Sequence, residues 1–193
     1  MQLHVVKPPL PGSYVVFLPV IAGPYPGAAD EREARRRIRR VTGEGCDFFL
    51  DLTEDGELEP YAHLLPGRVR HVRLPLRKGA VPPPARMREI VDAINRASAR
   101  DGYSVYVHDE EGTGRVGTAI ACWIADLQVV DAGVDVLDFL DRLRRDIPGR
   151  RPSPETPEQC AFARGWTRGQ TPRGLPPRPE ADGAQAVLEG GMR

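Results

Sequence analysis

Hydrophobic and polar positions alternate in short blocks along this chain, and the blocks change period. Residues 14–22 (YVVFLPVIA) are apolar and β-branched, and Pro19 divides them into two short predicted strands. The GPYPG run at 23–27 reads as a rigid turn. Asp30 is placed to cap a helix reaching about residue 42, closed by Gly43 and Gly45. Residues 47–52 (DFFLDL) form a buried strand, and 69–76, with alternating apolar side chains, form another. Three prolines at 82–84 open a helix over 85–99, whose Met87, Ile90, Val91 and Ile94 make one stripe. A strand follows at 104–108. A helix over 115–129 is apolar nearly all round, which places it in a core, with Cys122 a small buried hydrophobe. An amphipathic helix over 135–146 turns Val136, Leu137, Phe139, Leu140 and Leu143 inward. A last helix follows Ser153 or Thr156, either of which can cap it with Glu155 or Glu158.

Strands interleaved with helices predict an α/β fold, a mostly parallel central sheet flanked by helices. A ligand site in such a sheet lies beyond the carboxyl ends of its strands. The domain is expected over residues 13–166. Residues 1–12, rich in proline, read as an extended arm, and 167–193, rich in proline, glycine and charge, as a disordered tail. No internal repeat is visible.

Composition narrows the function by exclusion. Lysine plus arginine equals aspartate plus glutamate at 27 each, so bulk charge makes no case for a nucleic-acid partner or a membrane surface. Arginines at 32, 35, 36, 37, 39 and 40 crowd one helix, but Glu31 and Glu33 dilute them, and a solvated surface is the simpler reading. No apolar run is long enough to span a bilayer. Three scattered cysteines, Cys46, Cys122 and Cys160, give neither a disulfide framework nor a zinc motif, and the cytoplasm is the expected compartment. No metal and no cofactor is expected.

The chemistry concentrates at 104–118, SVYVHDEEGTGRVGT. A buried strand runs into a glycine-bearing loop, and an arginine stands at the mouth of the next helix. Loop amides and a helix N-terminus converge there, the layout of an anion cradle. Asp109 at its base faces those amides and Arg115, and such partners favour the ionised carboxylate, so its pKa is expected to fall. The carboxylate would then take the hydrogen bonds an incoming anion needs and repel it. Two unit charges 4 Å apart interact by about 4 kcal/mol at an effective dielectric near 20. Glu110 and Glu111 add to the negative field, so a neutral or cationic ligand, or a monoanion held by Arg115, is favoured.

The loop resembles the signature strand-His-Cys-x5-Arg loop of the protein tyrosine and dual-specificity phosphatases, and the order of the flanking motifs over 14–166 resembles a bacterial branch of them. The resemblance implies the phosphatase fold. His108, Arg115 and Gly117 fall on the pattern, while Asp109 occupies the place of the nucleophilic cysteine and Val116 that of the hydroxyl residue. Lys78 stands in the segment matching the general-acid loop, where the family has an aspartate; Asp51 and Asp55 are other acids in the chain. His108 matches the histidine that orients the nucleophile, with a structural bond to backbone beneath the loop as its simpler role. Candidate catalytic residues are therefore Asp109, Arg115 and His108. Candidate substrate-binding residues are Glu110, Glu111, Gly112, Thr113, Gly114 and Lys78, with Tyr61 and Glu57 expected at the pocket rim by the resemblance. Losses at Asp109, Val116 and Lys78 together speak against a single change in an intact phosphatase. Two functions remain: a repurposed enzyme acting on a small-molecule ligand in the loop, with Asp109 as acid, base or nucleophile, or an inactive pseudophosphatase that binds a protein partner.

Overall fold

The computed structural model describes residues 7–99, 104–131 and 133–169. Its five strands are β1 (Tyr14–Phe17), β2 (Val20–Gly23), β3 (Cys46–Asp51), β4 (Arg70–Arg73) and β5 (Ser104–His108), in the order β1-β2-β5-β3-β4. β1 and β2 are antiparallel, and every other pair is parallel. The helices are α1 (Glu31–Gly43), α2 (Pro84–Ser98), α3 (Gly114–Leu127), α4 (Val136–Leu143) and α5 (Pro157–Arg164). The mostly parallel α/β sheet expected from the sequence is the fold observed.

The two-residue period of the strands sorts the core into layers. Val20, Ala22, Phe48, Leu50, Val105 and Val107 face α2 to α5, together with Met87, Ile90 and Ile120. Ile21, Phe49 and Tyr106 face the other way, onto Ile38 and Val41 of α1. α3 is buried on all sides, as its composition requires. Trp123 and Trp166 both belong to the core.

Local signals account for most boundaries. Asp30 caps α1 by accepting from the Glu33 amide, an interaction worth about 1 kcal/mol. The arginines of α1 are a solvated face, with Arg35 on Glu31, and Arg36 and Arg37 on Glu33. The strand expected over 69–76 is shorter: pairing stops at Arg73, and the chain then follows Asp51 and Leu52 through Leu74 and Leu76 amide bonds. The last helix is capped by Thr156 in a reciprocal box with Gln159, not with Glu158. Leu10, within the expected arm, is buried against Ile21 and Ile38, and Gly12 carries the turn into β1. Residues 1–6 of that arm and 170–193 of the tail lie outside the described residues.

Candidate active site

The loop between β5 and α3 leaves the sheet at the carboxyl end of its central strand. It is pinned to the turn after β2 by Tyr25, whose amide donates to the Glu110 carbonyl at 3.2 Å. Gly112 makes that approach possible. Its φ is +77°, and a Cβ there would lie 2.6 Å from the Gly23 carbonyl carbon, a contact no larger residue tolerates.

Asp109 forms the floor of the resulting cleft and is 3 % exposed. Its Oδ1 accepts from the amides of Glu111 and Gly112, and its Oδ2 from the amide of Val116 at 3.0 Å. The loop's own carboxyl therefore occupies the donors that converge in the cradle. The expected fall in its pKa is not what the environment produces. Burial pushes the carboxyl up, and the amides of Val116 and Gly112 and the charge of Arg115 only partly offset it, while Glu155 adds to the rise. Burial outweighs these partners, and Arg115 is largely engaged elsewhere. Both ends of its guanidinium donate to Glu57, each at 2.6 Å, and Nη1 also reaches the Leu76 carbonyl at 3.2 Å. Only its Nε faces Asp109, at 4.0 Å. The cation expected to hold the Asp109 charge is held in turn by another acid.

The rest of the predicted site falls into two groups. At the mouth, Lys78 pairs with Glu110, Arg151 with Glu111, and the Thr113 hydroxyl donates to Glu155. Gly114 begins α3 with Glu155 against its Cα. The cleft between these groups leaves about 10 Å³ for the centre of a water molecule, room for about one. Beneath the loop lie the others. Tyr61 is not on the rim: it is 1 % exposed, at the foot of a short 3-10 turn (Ala62–Leu64), packed on Tyr25, Phe49 and His108. Its hydroxyl lies 2.6 Å from Nε2 of His108. His108 is fully buried, holds this hydroxyl on Nε2, and has Nδ1 3.9 Å from Asp51 Oδ1. Burial lowers its pKa to about 4, against the pull of Asp51, so it is neutral at pH 7.

Asp51, at the end of β3 beside His108, anchors this lower layer. It accepts from the Thr53 amide and hydroxyl and from Arg73, with His71 Nε2 at 3.2 Å. Asp55 pairs with Arg73 on the surface and does not reach the cleft lining. Sequence reasoning passed over Glu155 and Arg151. Both precede α5, some 40 residues beyond the loop, and nothing local signals their approach. Among the described residues no group of three or more His, Cys, Asp or Glu is placed to hold a metal, and no helix is long and apolar enough to cross a membrane.

Known proteins share this fold. The family model of PTP-SAK, described as Swiss Army Knife protein, DSP-PTPase phosphatase domain, matches residues 27–151. The crystal structure of Tk-PTP in the active form is 26% identical, with a TM-score of 0.61 over 79% of this chain and 93% of that one. DUSP15 is 18% identical, with a TM-score of 0.58 over 79% of this chain and 88% of its own. PTPMT1, crystallised in complex with PI(5)P, is 20% identical, with a TM-score of 0.55 over 75% and 87%. The last two likenesses are of fold.

Proposed function

The chain belongs to the PTP-SAK family, the DSP-PTPase phosphatase domain of Swiss Army Knife proteins, and from that premise we propose that it keeps the family's anion cradle but not its cysteine chemistry. In this reading Asp109 stands where the family carries its nucleophilic cysteine, and the cleft works on a small neutral or cationic molecule, with Asp109 an acid–base group. The observation that carries it is the set of three loop amides already bonded to Asp109. A phosphate dianion would have to displace that carboxyl and then meet Glu155 in the same cleft, whose Arg115 is already held by Glu57 and whose Lys78 by Glu110. Nucleophilic attack by Asp109 is disfavoured, since both of its oxygens are engaged. Proton transfer suits it better: burial raises its proton affinity above that of an ordinary carboxyl, the direction that makes a carboxyl a better general acid. A second reading, an inactive pseudophosphatase that binds a protein partner, draws on the narrowness of the cleft.

Calorimetric titration with inorganic phosphate and with vanadate tests the proposal. The native chain gives no saturable heat. Asp109→Ser, which frees the three amides, gains phosphate binding. Tight phosphate binding by the native chain overturns the reading. Asp109→Cys is expected to turn over p-nitrophenyl phosphate no faster than background, because Val116 and Lys78 remain; brisk turnover means those positions matter less than argued.

A further inference from the structure

Glu155 shares the cleft with Asp109. It approaches from the segment before α5. Its Oε1 accepts from the Thr113 hydroxyl, and a Cβ at Gly114 would sit 3.0 Å from its carboxyl carbon. Two carboxyl groups thus border a space the size of about one water. Their surroundings differ. The Asp109 side chain is 4% exposed and bonded only to loop amides, whereas the Glu155 side chain is 30% exposed, with Arg151 at 3.7 Å.

We propose that Asp109 and Glu155 form an unequal carboxyl pair, Asp109 the proton donor from the dry floor and Glu155 the proton acceptor from the wetter wall, acting on a neutral ligand that presents a hydroxyl or carbonyl oxygen between them. The inference rests on the acid–base reading of the cleft. One proton passes from Asp109 to the ligand and one from the ligand to Glu155, so net charge is conserved and exchange with water restores the pair. Unlike surroundings of two carboxyls in one cleft are the physical basis of such an assignment. Asp109 is pushed up by burial and further by Glu155 itself. The other charged or titratable groups that act on Asp109 from packed elements are Arg115 of α3, Arg144 at the end of α4, Tyr14 of β1 and Tyr106 of β5. Glu110 and Glu111 of the loop are each paired outward, with Lys78 and Arg151.

The test is the titration of Asp109 in the full chain, followed by carboxyl carbon NMR after labelling aspartate, with Asp109→Asn assigning the resonance. In Glu155→Gln the Asp109 midpoint falls by about half a pH unit or more as the like charge is removed. The Gln oxygen still accepts from Thr113, so a Glu155 that acts on the cleft only through that hydrogen bond leaves the titration unmoved, and that result overturns the pair. Glu155→Asp keeps the charge and a midpoint near the native value; a fall as large as that of Glu155→Gln also overturns it. Phosphate calorimetry on the native chain is independent of this outcome, so a failed pair and a failed reading of the cradle are told apart.

Discussion

Asp51 and Asp109 stand at the carboxyl ends of neighbouring parallel strands, and both are buried, yet their environments treat the charge in opposite ways. Burial raises the proton affinity of each. At Asp51 the bond to His71, the field of His108 and the bonds from Thr53 outweigh it and hold the carboxyl well below its usual range. Arg73, at 3.0 and 3.1 Å, completes the shell and is itself pushed up by Asp51 against its own desolvation. At Asp109 three backbone amides are not enough, and the nearest cation, Arg115, spends its fork on Glu57. Backbone amides satisfy the buried Asp109 carboxyl, whereas at Asp51 side-chain donors from His71 and Thr53 and the field of His108 keep the carboxyl ionised. The first aspartate is built into the frame under the loop, and the second holds a proton more tightly than an ordinary carboxyl does.

The widest separation between them is expected in stability. Asp51→Ala leaves Arg73 without its buried partner and the Thr53 amide and hydroxyl without an acceptor. Breaking a buried pair from one side costs about 3–5 kcal/mol, read as a drop in urea midpoint. Asp109→Asn keeps an acceptor for the Glu111 and Gly112 amides and turns a donor only toward Val116, a loss of about 1 kcal/mol. Equal losses at the two positions would dissolve the contrast.

Much of the frame could be read from the chain because its causes are local. Pro19 splits a strand, Asp30 caps a helix, and the apolar circumference of residues 115–127 demands burial. The loop could be placed because glycine, arginine and a strand end occur together within a few residues. What escaped was set by contacts from afar. Tyr61 reads as a rim residue until Tyr25, Phe49 and His108 close over it. The direction of the Asp109 shift depends on how deeply the loop buries it, which residue type does not show. Glu155 reaches the cleft only because Ser153 bonds the Thr113 carbonyl at 2.7 Å and packs against Gly117. Residue type shows which groups can act, and the third partner of each pair decides how they do.

Acid should reach the lower layer before the cradle. His108 titrates near 4 in the fold and near 6.5 when unfolded. A histidine with a depressed native pKa contributes stability that is complete above the unfolded value and is lost as pH falls from about 6.5 toward 4. The loss is about 3 kcal/mol at its limit. Asp51, depressed as a carboxyl, adds a further loss only below about pH 4. Asp109 works with the opposite sign: its raised pKa makes the native state more favourable as pH falls toward its unfolded value of about 4. Guanidinium melts between pH 7 and 4 should therefore slope downward in the native chain. The slope should flatten in His108→Gln and steepen slightly in Asp109→Asn. A native profile flat over that range would mean that His108 is not held neutral.

The smallest effect is the most direct probe of why the two aspartates differ. If Asp109 stays high because Glu57 monopolises Arg115, then Glu57→Ala releases the guanidinium, whose Nε already lies 4.0 Å from Asp109 Oδ2. A fork turned onto the carboxyl reproduces the arrangement Asp51 has with Arg73, and the Asp109 midpoint should drop by about one unit. The shift should shrink in high salt less than an exposed pair would, because both side chains are buried. An unchanged midpoint would assign the whole rise to burial and leave Glu57 no part in it. Should the midpoint fall, a single distant carboxylate sets whether the floor of this cleft keeps its proton.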